Sequence, residues 1–345
     1  MSTIGGFDIH RKQITFDYVD TVSGEVRGGQ VAPADRRHLA LWLGRFAGGG
    51  DVHFAVEGCT GWRYVVEELA RAGAVAHLAE PADTAAARGP KRRAKTDRAD
   101  ARLIRELLEG DRLPECYIPP PQILEYRALL ELYHDLRREH TAWIQRIHAV
   151  LFHQGAQEVG PGGVRTLEGR QRLTEIAGAQ LSSAGQVQVA TATQMLEAIE
   201  AQLDQLRRQL TSIAGHLKGP KALTDSVYGI GPITALALTC WLGGANRFSS
   251  TRKAVRFTGL DVTVYSSAGK HSPGHLSRQG PPVLRWCVYE AGKTHARSTA
   301  PDHHYYAQVK DRIDGKRAAL SEARKITRRA CHLLGELGDD AYTQV

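Results

Sequence analysis

Short runs of apolar residues separated by turn residues fill the first third of the chain, and this pattern predicts strands. The predicted strands are 3–9, 13–19, 25–31, 52–57 and 75–79. Ser23 and Gly24 supply a turn before the third strand, so the first three form an antiparallel meander. Helical spacing of apolar residues predicts helices at 33–46 and 62–72, between the later strands.

This order of elements predicts a mixed sheet with helices on its faces, as in ribonuclease-H-like domains. A further helix is expected from Thr96 to Gly110, with its apolar residues on one face. The three prolines at 119–121 then mark a boundary. We therefore expect a first domain at residues 1–118.

The middle of the chain, 119–218, is expected to be helical. One long helical pattern covers 122–154, and a Gly/Pro break at 160–163 follows it. In the next helix apolar residues alternate at spacings of three and four, which is a heptad seam. The seam consists of Leu196, Ile199, Leu203, Leu206, Leu210, Ile213 and Leu217. Two long helices joined by a loop predict an antiparallel coiled-coil arm or, alternatively, a dimer contact.

The last part, 219–345, is expected to be a mainly helical domain. A turn with Gly229 and Gly231 separates two helical patterns, as in a helix-hairpin-helix element. A stretch rich in glycine, serine and arginine covers 246–285, and a basic helix is expected around 316–337. The predicted fold is thus α/β followed by α.

Charge and cysteine usage narrow the class of protein. The 345 residues carry 45 Lys and Arg against 37 Asp and Glu, a formal net charge of +8, which favours a polyanionic partner. The five cysteines are scattered without a Cys-x-x-Cys pair, so neither a disulfide framework nor a zinc ribbon is indicated. We find no signal peptide and no span for a membrane, and we expect a cytoplasmic protein of a prokaryotic cell without a membrane partner.

Four carboxylates are candidates for a metal site. Asp8 and Glu57 end two predicted strands, while Asp97 and Asp100 lie one turn apart at the start of a helix. Carboxylate oxygens are the ligands that Mg²⁺ prefers, so the four predict a site for one or two Mg²⁺ ions. Taken singly, each is also explained as a solvated strand end or as a complement to the helix dipole.

A basic run precedes that helix. Between residues 88 and 98 the chain carries six cations against one carboxylate. Lys91, Arg92, Arg93 and Lys95 are therefore predicted to contact nucleic acid, with a solvated basic loop as the alternative.

Two motifs in the last domain also suit phosphate chemistry. Gly229 and Gly231 would let backbone N–H groups approach a phosphate at a helix start, although a plain turn would show the same glycines. Ser266 and Ser267 lie among cations and suit a nucleophile that attacks a phosphodiester, with a basic loop that only touches phosphate as the alternative. The neighbouring cations are Lys270, Arg278 and Arg285.

In their order along the chain, these motifs resemble those of the DEDD-type insertion-sequence transposases, which are bridge-RNA-guided recombinases. The matching segments are Gly6-Phe7-Asp8, Val56-Glu57-Gly58, Lys95 to Ala101, Gly229 to Pro232, Thr258-Gly259-Leu260, Tyr265-Ser266-Ser267, Ser277 to Gly280 and Leu284-Arg285. The resemblance covers nearly the whole chain. It implies a RuvC-like first domain, a coiled coil and a C-terminal transposase domain with a catalytic serine.

The resemblance also implies the roles of single residues. Asp8, Glu57, Asp97 and Asp100 would form the metal-binding tetrad. Ser267 would be the nucleophile that links covalently to DNA, with Ser266 as the fallback because Ala268 separates Ser267 from the glycine of the motif. Arg278 takes the place of the family's usual lysine.

The leading hypothesis is a transposase that excises and inserts its own element by Mg²⁺-assisted serine attack on donor and target double-stranded DNA. The resemblance implies guidance by a non-coding RNA of the element and assembly as a homodimer or homotetramer. The alternatives are a metal-dependent nuclease of the Holliday-junction type and a non-catalytic nucleic-acid-binding remnant of a transposon.

Overall fold

A computed structural model describes residues 2–48, 50–87, 96–160, 163–263, 265–267, 270–272 and 274–345, with the backbone alone for 265–267 and 270–272. The chain divides into two compact units, residues 1–119 and 120–345. Each unit has a hydrophobic core of its own. We describe the two units separately. Over the described residues, every helix is too short or too polar to serve as a membrane span.

The N-terminal unit is built on a six-stranded mixed sheet in the order β3-β2-β1-β4-β5-β6. Its strands are β1 Thr3–Ile9, β2 Ile14–Asp20, β3 Val26–Val31, β4 Val52–Glu57, β5 Val75–Ala79 and β6 Glu115–Cys116. The first three strands pair antiparallel. β4 lies parallel to both β1 and β5, and β6 closes the edge antiparallel to β5. The predicted mixed sheet is confirmed, and it is consistent with a ribonuclease-H-like domain.

Helices cover this sheet on both faces. They are α1 Arg36–Leu43, α2 Trp62–Arg71, α3 Pro81–Ala86 and α4 Asp97–Glu109. On one face Phe7 of β1 stacks on Phe54 of β4 at 4.6 Å between ring centroids, and Trp42 of α1 meets Phe7 edge-on at 5.6 Å. Because side chains alternate along a strand, Gly6 points to the other face, which α4 covers.

Helix α4 lies unusually close to β1 because Gly6 has no side chain. A Cβ atom at Gly6 would lie 2.3 Å from the carbonyl oxygen of Ala101 and 2.7 Å from the backbone nitrogen of Arg105. An ion pair between Arg105 Nε of α4 and Asp17 Oδ1 of β2, at 2.5 Å, also holds the helix against the sheet. Both side chains are only 8% exposed. Arg105 thus fixes α4, and with it the first turn of that helix, against the sheet.

The C-terminal unit is mainly helical. Its helices are α5 Pro121–His153, α6 Leu167–Gln180, α7 Ser183–His216, α8 Lys218–Ser226, α9 Pro232–Leu242, α10 Thr251–Phe257, α11 Pro282–Lys293, α12 His303–Arg312 and α13 Gly315–Leu337. A short hairpin pairs β7 Tyr265–Ser267 with β8 Lys270–Ser272. Helix α9 is buried along most of its length, and α11 and α13 pack around the same core.

The heptad seam of α7 packs within its own chain. Leu196 shares one core with Ile147 of α5, and Leu210 shares another with Ile123, so α5 and α7 run antiparallel. Of the two readings of the seam, these contacts favour the intramolecular pair of helices. The ion pair between Arg170 of α6 and Glu200 Oε2, at 2.6 Å, adds a third helix to this pair.

Several elements were not expected from the pattern. α3, α6 and the two-residue strand β6 are short or weakly amphipathic, and the glycine- and serine-rich stretch at 246–285 contains α10, the β7–β8 hairpin and the start of α11. Of these elements, β6 pairs with β5 and α10 packs against α13, both through residues distant in sequence. The division into three domains stays a prediction.

Replacing Arg105 is expected to loosen α4. Arg105→Met leaves the buried carboxylate of Asp17 without its main partner, and breaking such a pair costs about 3–5 kcal/mol. Hydrogen exchange followed by mass spectrometry should show a loss of that order in the opening free energy of the α4 amides. Arg102→Met is the matched control. Arg102 is 61% exposed and lies 3.9 Å from the same carboxylate, so its loss should cost about 1 kcal/mol or less. Equal effects of the two substitutions would refute the role given to Arg105.

Candidate functional site

The carboxyl ends of two parallel strands place Asp8 and Glu57 side by side. In the pairing of β1 with β4, Phe7 lies opposite Val56, so the next residues along each strand are Asp8 and Glu57. Asp8 is two residues after Gly6 in β1, and Glu57 is two residues after Ala55, which pairs with Gly6 in β4. Because side chains alternate along a strand, both carboxylates lie on the α4 face of the sheet. Ligands of open α/β sheets bind outside the carboxyl ends of parallel strands, which is where these two carboxylates lie.

The first turn of α4 brings the other two carboxylates. Thr96 caps the helix, its Oγ1 accepting a hydrogen bond from the backbone N–H of Ala99 at 3.2 Å. Asp97 and Asp100 follow in the first turn, where the helix dipole favours negative charge. Asp100 is buried and Asp97 half-exposed. The close contact of α4 with β1 thus sets the distance between the two pairs of carboxylates.

Two further polar residues, which the sequence analysis did not single out, belong to this cluster. His10 Nε2 lies 3.1 Å from Asp8 Oδ2 and 3.3 Å from Asp97 Oδ1. Gln13 Nε2 donates a hydrogen bond to Asp97 Oδ2 at 3.3 Å. The position of His10, two residues after Asp8 at the same strand end, was the available signal, because alternation places both on one face.

A cleft of about 1160 Å³ opens at this cluster. Asp8, His10, Glu57, Asp97 and Asp100 all face it. Burial raises the pKa of Asp8, and the charges of Asp100 and Asp97 raise it further, while His10 acts in the opposite direction. The cleft therefore concentrates negative charge at an unfavourable cost.

A divalent cation would relieve that cost, and the donor set fits one. Ligand atoms of Asp8, His10 and Asp97 lie within 4.8 Å of one another. Carboxylate oxygens suit hard divalent cations such as magnesium and manganese, and an imidazole nitrogen suits metals such as iron and zinc. Glu57 and Asp100 in the same cleft supply further oxygens. The N-terminal unit thus holds a candidate divalent-metal centre.

The glycine turn joins α8 and α9 in the C-terminal unit. Gly229 adopts a φ of 82°, and a Cβ there would lie 2.2 Å from Thr294 Oγ1, so this glycine is required by local packing. Gly231 caps α9, and the space where its Cβ would lie is open among the described residues. The backbone N–H groups at the start of α9 are consequently placed at an accessible helix N-terminus.

The base of the serine hairpin is a short antiparallel ribbon. Thr263 N–H donates to the carbonyl oxygen of His275 at 2.8 Å, and Ser277 N–H donates to that of Asp261 at 2.9 Å. The hydroxyl of Ser277 also donates to the carboxylate of Asp261. This ribbon leads into β7, whose backbone carries Ser266 and Ser267.

Two arginines hold this ribbon by its backbone. Arg285 Nη1 of α11 donates to the carbonyl oxygens of Gly280 at 3.1 Å and Arg278 at 3.3 Å. Arg324 Nε of α13 donates to that of Leu260 at 2.8 Å. Burial lowers the pKa of Arg285, and the like charge of Arg278 lowers it further. Arg285 therefore supports the loop in addition to its predicted contact with nucleic acid.

Some predicted site residues cannot be placed. Lys91, Arg92, Arg93 and Lys95 lie outside the described residues, as do the side chains of Ser266, Ser267 and Lys270. The structure thus brings the four carboxylates together in the N-terminal unit, while the glycine turn, Arg278 and Arg285 belong to the C-terminal unit.

Two models of transposase families match different parts of this chain, one over each group of candidate site residues. A transposase family model of the DEDD type named for IS110 matches residues 5–153, and the model "Transposase IS116/IS110/IS902 family" matches residues 221–308. A protein of Pseudomonas aeruginosa named "Probable family 20 transposase" is 24% identical over 251 residues, which are 71% of this chain and 72% of that protein.

The acidic cleft and these matches define an enzyme of the transposase class, whose substrates are DNA. The two family models cover the N-terminal unit with the metal-centre residues and the C-terminal region with the serine hairpin. The chain belongs to the IS110 family of insertion-sequence transposases.

A side chain at Gly6 is expected to open the metal centre. Gly6→Ala forces α4 away from β1, which separates Asp97 and Asp100 from Asp8 and Glu57. Loss of such supporting geometry typically weakens metal binding by about 10–100-fold. Titration with Mn²⁺ followed by electron paramagnetic resonance would measure the change.

Gly44→Ala is the matched control for this substitution. Gly44 has a helical φ of −53°, and nothing among the described residues lies within 4 Å of the added Cβ. Its Mn²⁺ affinity should equal that of the unaltered protein. An unchanged affinity in Gly6→Ala would show that the approach of α4 does not set the site.

Proposed function

We propose that this transposase moves its insertion element by serine attack on DNA, with Mg²⁺ at the acidic cleft and an RNA of the element as guide. The observation that carries the proposal is the convergence of Asp8, Glu57, Asp97 and Asp100 on one cleft together with His10. The resemblance to the bridge-RNA-guided recombinases supports the serine and the RNA. The formal net charge of +8 suits two nucleic-acid partners.

The proposed chemical step is a transesterification. The hydroxyl oxygen of Ser267 forms a bond to a DNA phosphorus atom, and the bond from that phosphorus to the leaving nucleoside oxygen breaks. The serine proton passes to solvent, and the leaving oxygen takes up a proton. The number of phosphoester bonds is unchanged, so the reverse step can join a new strand without an energy source.

The residues of the acidic cleft would hold the metal in this scheme. Asp8, Glu57, Asp97 and Asp100 are the proposed ligands, and His10 orients Asp8 and Asp97 through its contacts with both. When bound, a divalent cation would stabilise the negative charge that develops on the phosphate. Arg278 and the backbone N–H groups in the first turn of α9 are proposed to bind DNA or RNA backbone.

A covalent protein–DNA adduct is the decisive observation for this function. Purified protein, Mg²⁺, donor and target DNA and RNA from the non-coding flank of the element should give an adduct on a denaturing gel. Ser267→Ala should abolish it, as should Asp97→Asn and chelation of the metal. Ser266→Ala tests the fallback nucleophile, and Ser272→Ala, on β8 of the same hairpin, is the matched control.

Each other outcome selects a different function. Strand cleavage without an adduct, unaffected by either serine, would indicate a metal-dependent junction nuclease. Binding without cleavage in all variants would indicate a non-catalytic remnant. An adduct that forms equally without RNA would exclude RNA guidance while keeping the serine mechanism.

Arg324 is proposed to position the serine hairpin in this reaction. Its hydrogen bond to the Leu260 carbonyl ties the base of the hairpin to α13. A shift of about 1 Å at a reacting group can cost about 100-fold in rate, so Arg324→Gln should slow adduct formation by about 10–100-fold while DNA binding persists. Single-turnover adduct kinetics would measure it.

Arg328→Gln is the control for Arg324→Gln, because it removes the same charge from an exposed position one turn further along α13. It should leave the rate of adduct formation close to that of the unaltered protein at saturating DNA. Equal slowing by both substitutions would show that charge, and not the carbonyl contact, is what matters.

A further inference from the structure

A second group of metal-ligating side chains lies within the C-terminal unit, away from the motifs discussed so far. His295 belongs to a 3-10 turn at 294–296 that follows α11, Asp302 immediately precedes α12, and Glu322 lies in α13. Ligand atoms of the three lie within 4.8 Å of one another. Three separate segments of the fold therefore meet at these side chains.

Several polar atoms of His295 and Glu322 are buried without a hydrogen-bond partner among the described residues. His295 and Glu322 are both 0% exposed. Among the described residues, neither ring nitrogen of His295 nor Oε2 of Glu322 has a hydrogen-bond partner. Burying such atoms unpaired is costly, and native proteins rarely leave them so. The group therefore calls for something that satisfies it.

The distance between the two facing atoms, His295 Nδ1 and Glu322 Oε2, indicates the kind of ligand that would satisfy them. His295 Nδ1 lies 3.7 Å from Glu322 Oε2, which is too long for a hydrogen bond. A zinc ion binds nitrogen and oxygen ligands at about 2.0–2.2 Å, so one ion between two such atoms spans up to about 4.2 Å. The gap thus has the width that one bridging ion requires.

We propose that His295, Asp302 and Glu322 bind a divalent transition-metal ion, with zinc as the best match to a set of one nitrogen and two carboxylates. Three protein ligands leave a fourth position of a tetrahedral zinc ion for water. The Asp302 side chain is 22% exposed and marks the side from which the ion would enter.

The charged groups around the site are compatible with this role. Lys325 Nζ contacts the other carboxylate oxygen of Glu322, Oε1, at 3.2 Å, and Arg329 Nη2 pairs with Asp302 Oδ2 at 2.9 Å. Such outer partners orient carboxylate ligands. Their positive charge opposes a cation, so the site is expected to favour a strongly bound transition metal over Mg²⁺.

The location indicates a structural role for the ion. The ring of Tyr228 meets that of His295 edge-on at 5.3 Å, and Gly229 packs on Thr294. An ion at His295 would therefore fasten α12 and α13 directly behind the glycine turn. Its effect would be on the stability of that turn rather than on the acidic cleft of the N-terminal unit.

Zinc binding by the full-length protein tests the proposal. Competing ligands are removed first by Asp97→Asn, Cys59→Ser and Cys116→Ser, and excess Mg²⁺ is present throughout. Dialysis against Zn²⁺ and elemental analysis should then give one zinc per chain, and zinc should raise the Tm. Introducing His295→Asn or Glu322→Gln should remove the bound zinc and the rise in Tm.

Two features keep this test decisive. Glu322→Gln has nearly the shape of the original side chain and retains an oxygen that can accept from Lys325, so it is expected to fold, which circular dichroism would verify. His304→Asn alters an exposed histidine on the same helix as the site's entrance and should keep one zinc. The proposal would be overturned if the protein with only Asp97→Asn, Cys59→Ser and Cys116→Ser bound no zinc. It would also be overturned if zinc stayed bound after His295→Asn or Glu322→Gln was added.

Discussion

The close approach of α4 to β1 is the constraint on which the acidic cleft depends. Gly6 permits that approach, and the buried pair of Arg105 with Asp17 holds it. Only at this distance do the first turn of α4 and the end of β1 share one cleft. Burial raises the pKa of Asp8, and the like charges of Asp100 and Asp97, which the same approach brings near, raise it further. Packing energy elsewhere in the unit therefore sustains a site that is electrostatically unfavourable until a cation binds.

In the C-terminal unit, backbone contacts hold the serine hairpin in place. Its serine hairpin has few apolar residues to bury, and it is held instead through backbone carbonyls that accept from Arg285 and Arg324. Because each guanidinium donates to a carbonyl oxygen, the hold does not depend on the side chains of the loop. A loop anchored in this way keeps its position without using its own side chains.

Sequence patterns predicted the elements whose burial is decided locally. The strands at 3–9, 52–57 and 75–79 have the predicted bounds because each is a short, mainly apolar run between turn residues. The helix α6 was missed because its amphipathic pattern is weak and its burial comes from packing against α7. The carboxylates of the site could be named from their positions at strand and helix ends. His10 offered only its position two residues after Asp8 as a signal, and its second contact arises when α4 brings Asp97 within reach.

The arrangement of the cores also limits how the enzyme can assemble. Leu196 and Leu210, in the heptad seam, are fully buried against residues of their own chain. A dimer that used this seam would first have to separate α5 from α7, at the cost of exposing that apolar surface. A second copy of the chain would therefore have to contact other surfaces. The exposed apolar side chains near the end of this helix pair, such as Phe152 and Val187, remain available once the seam is filled.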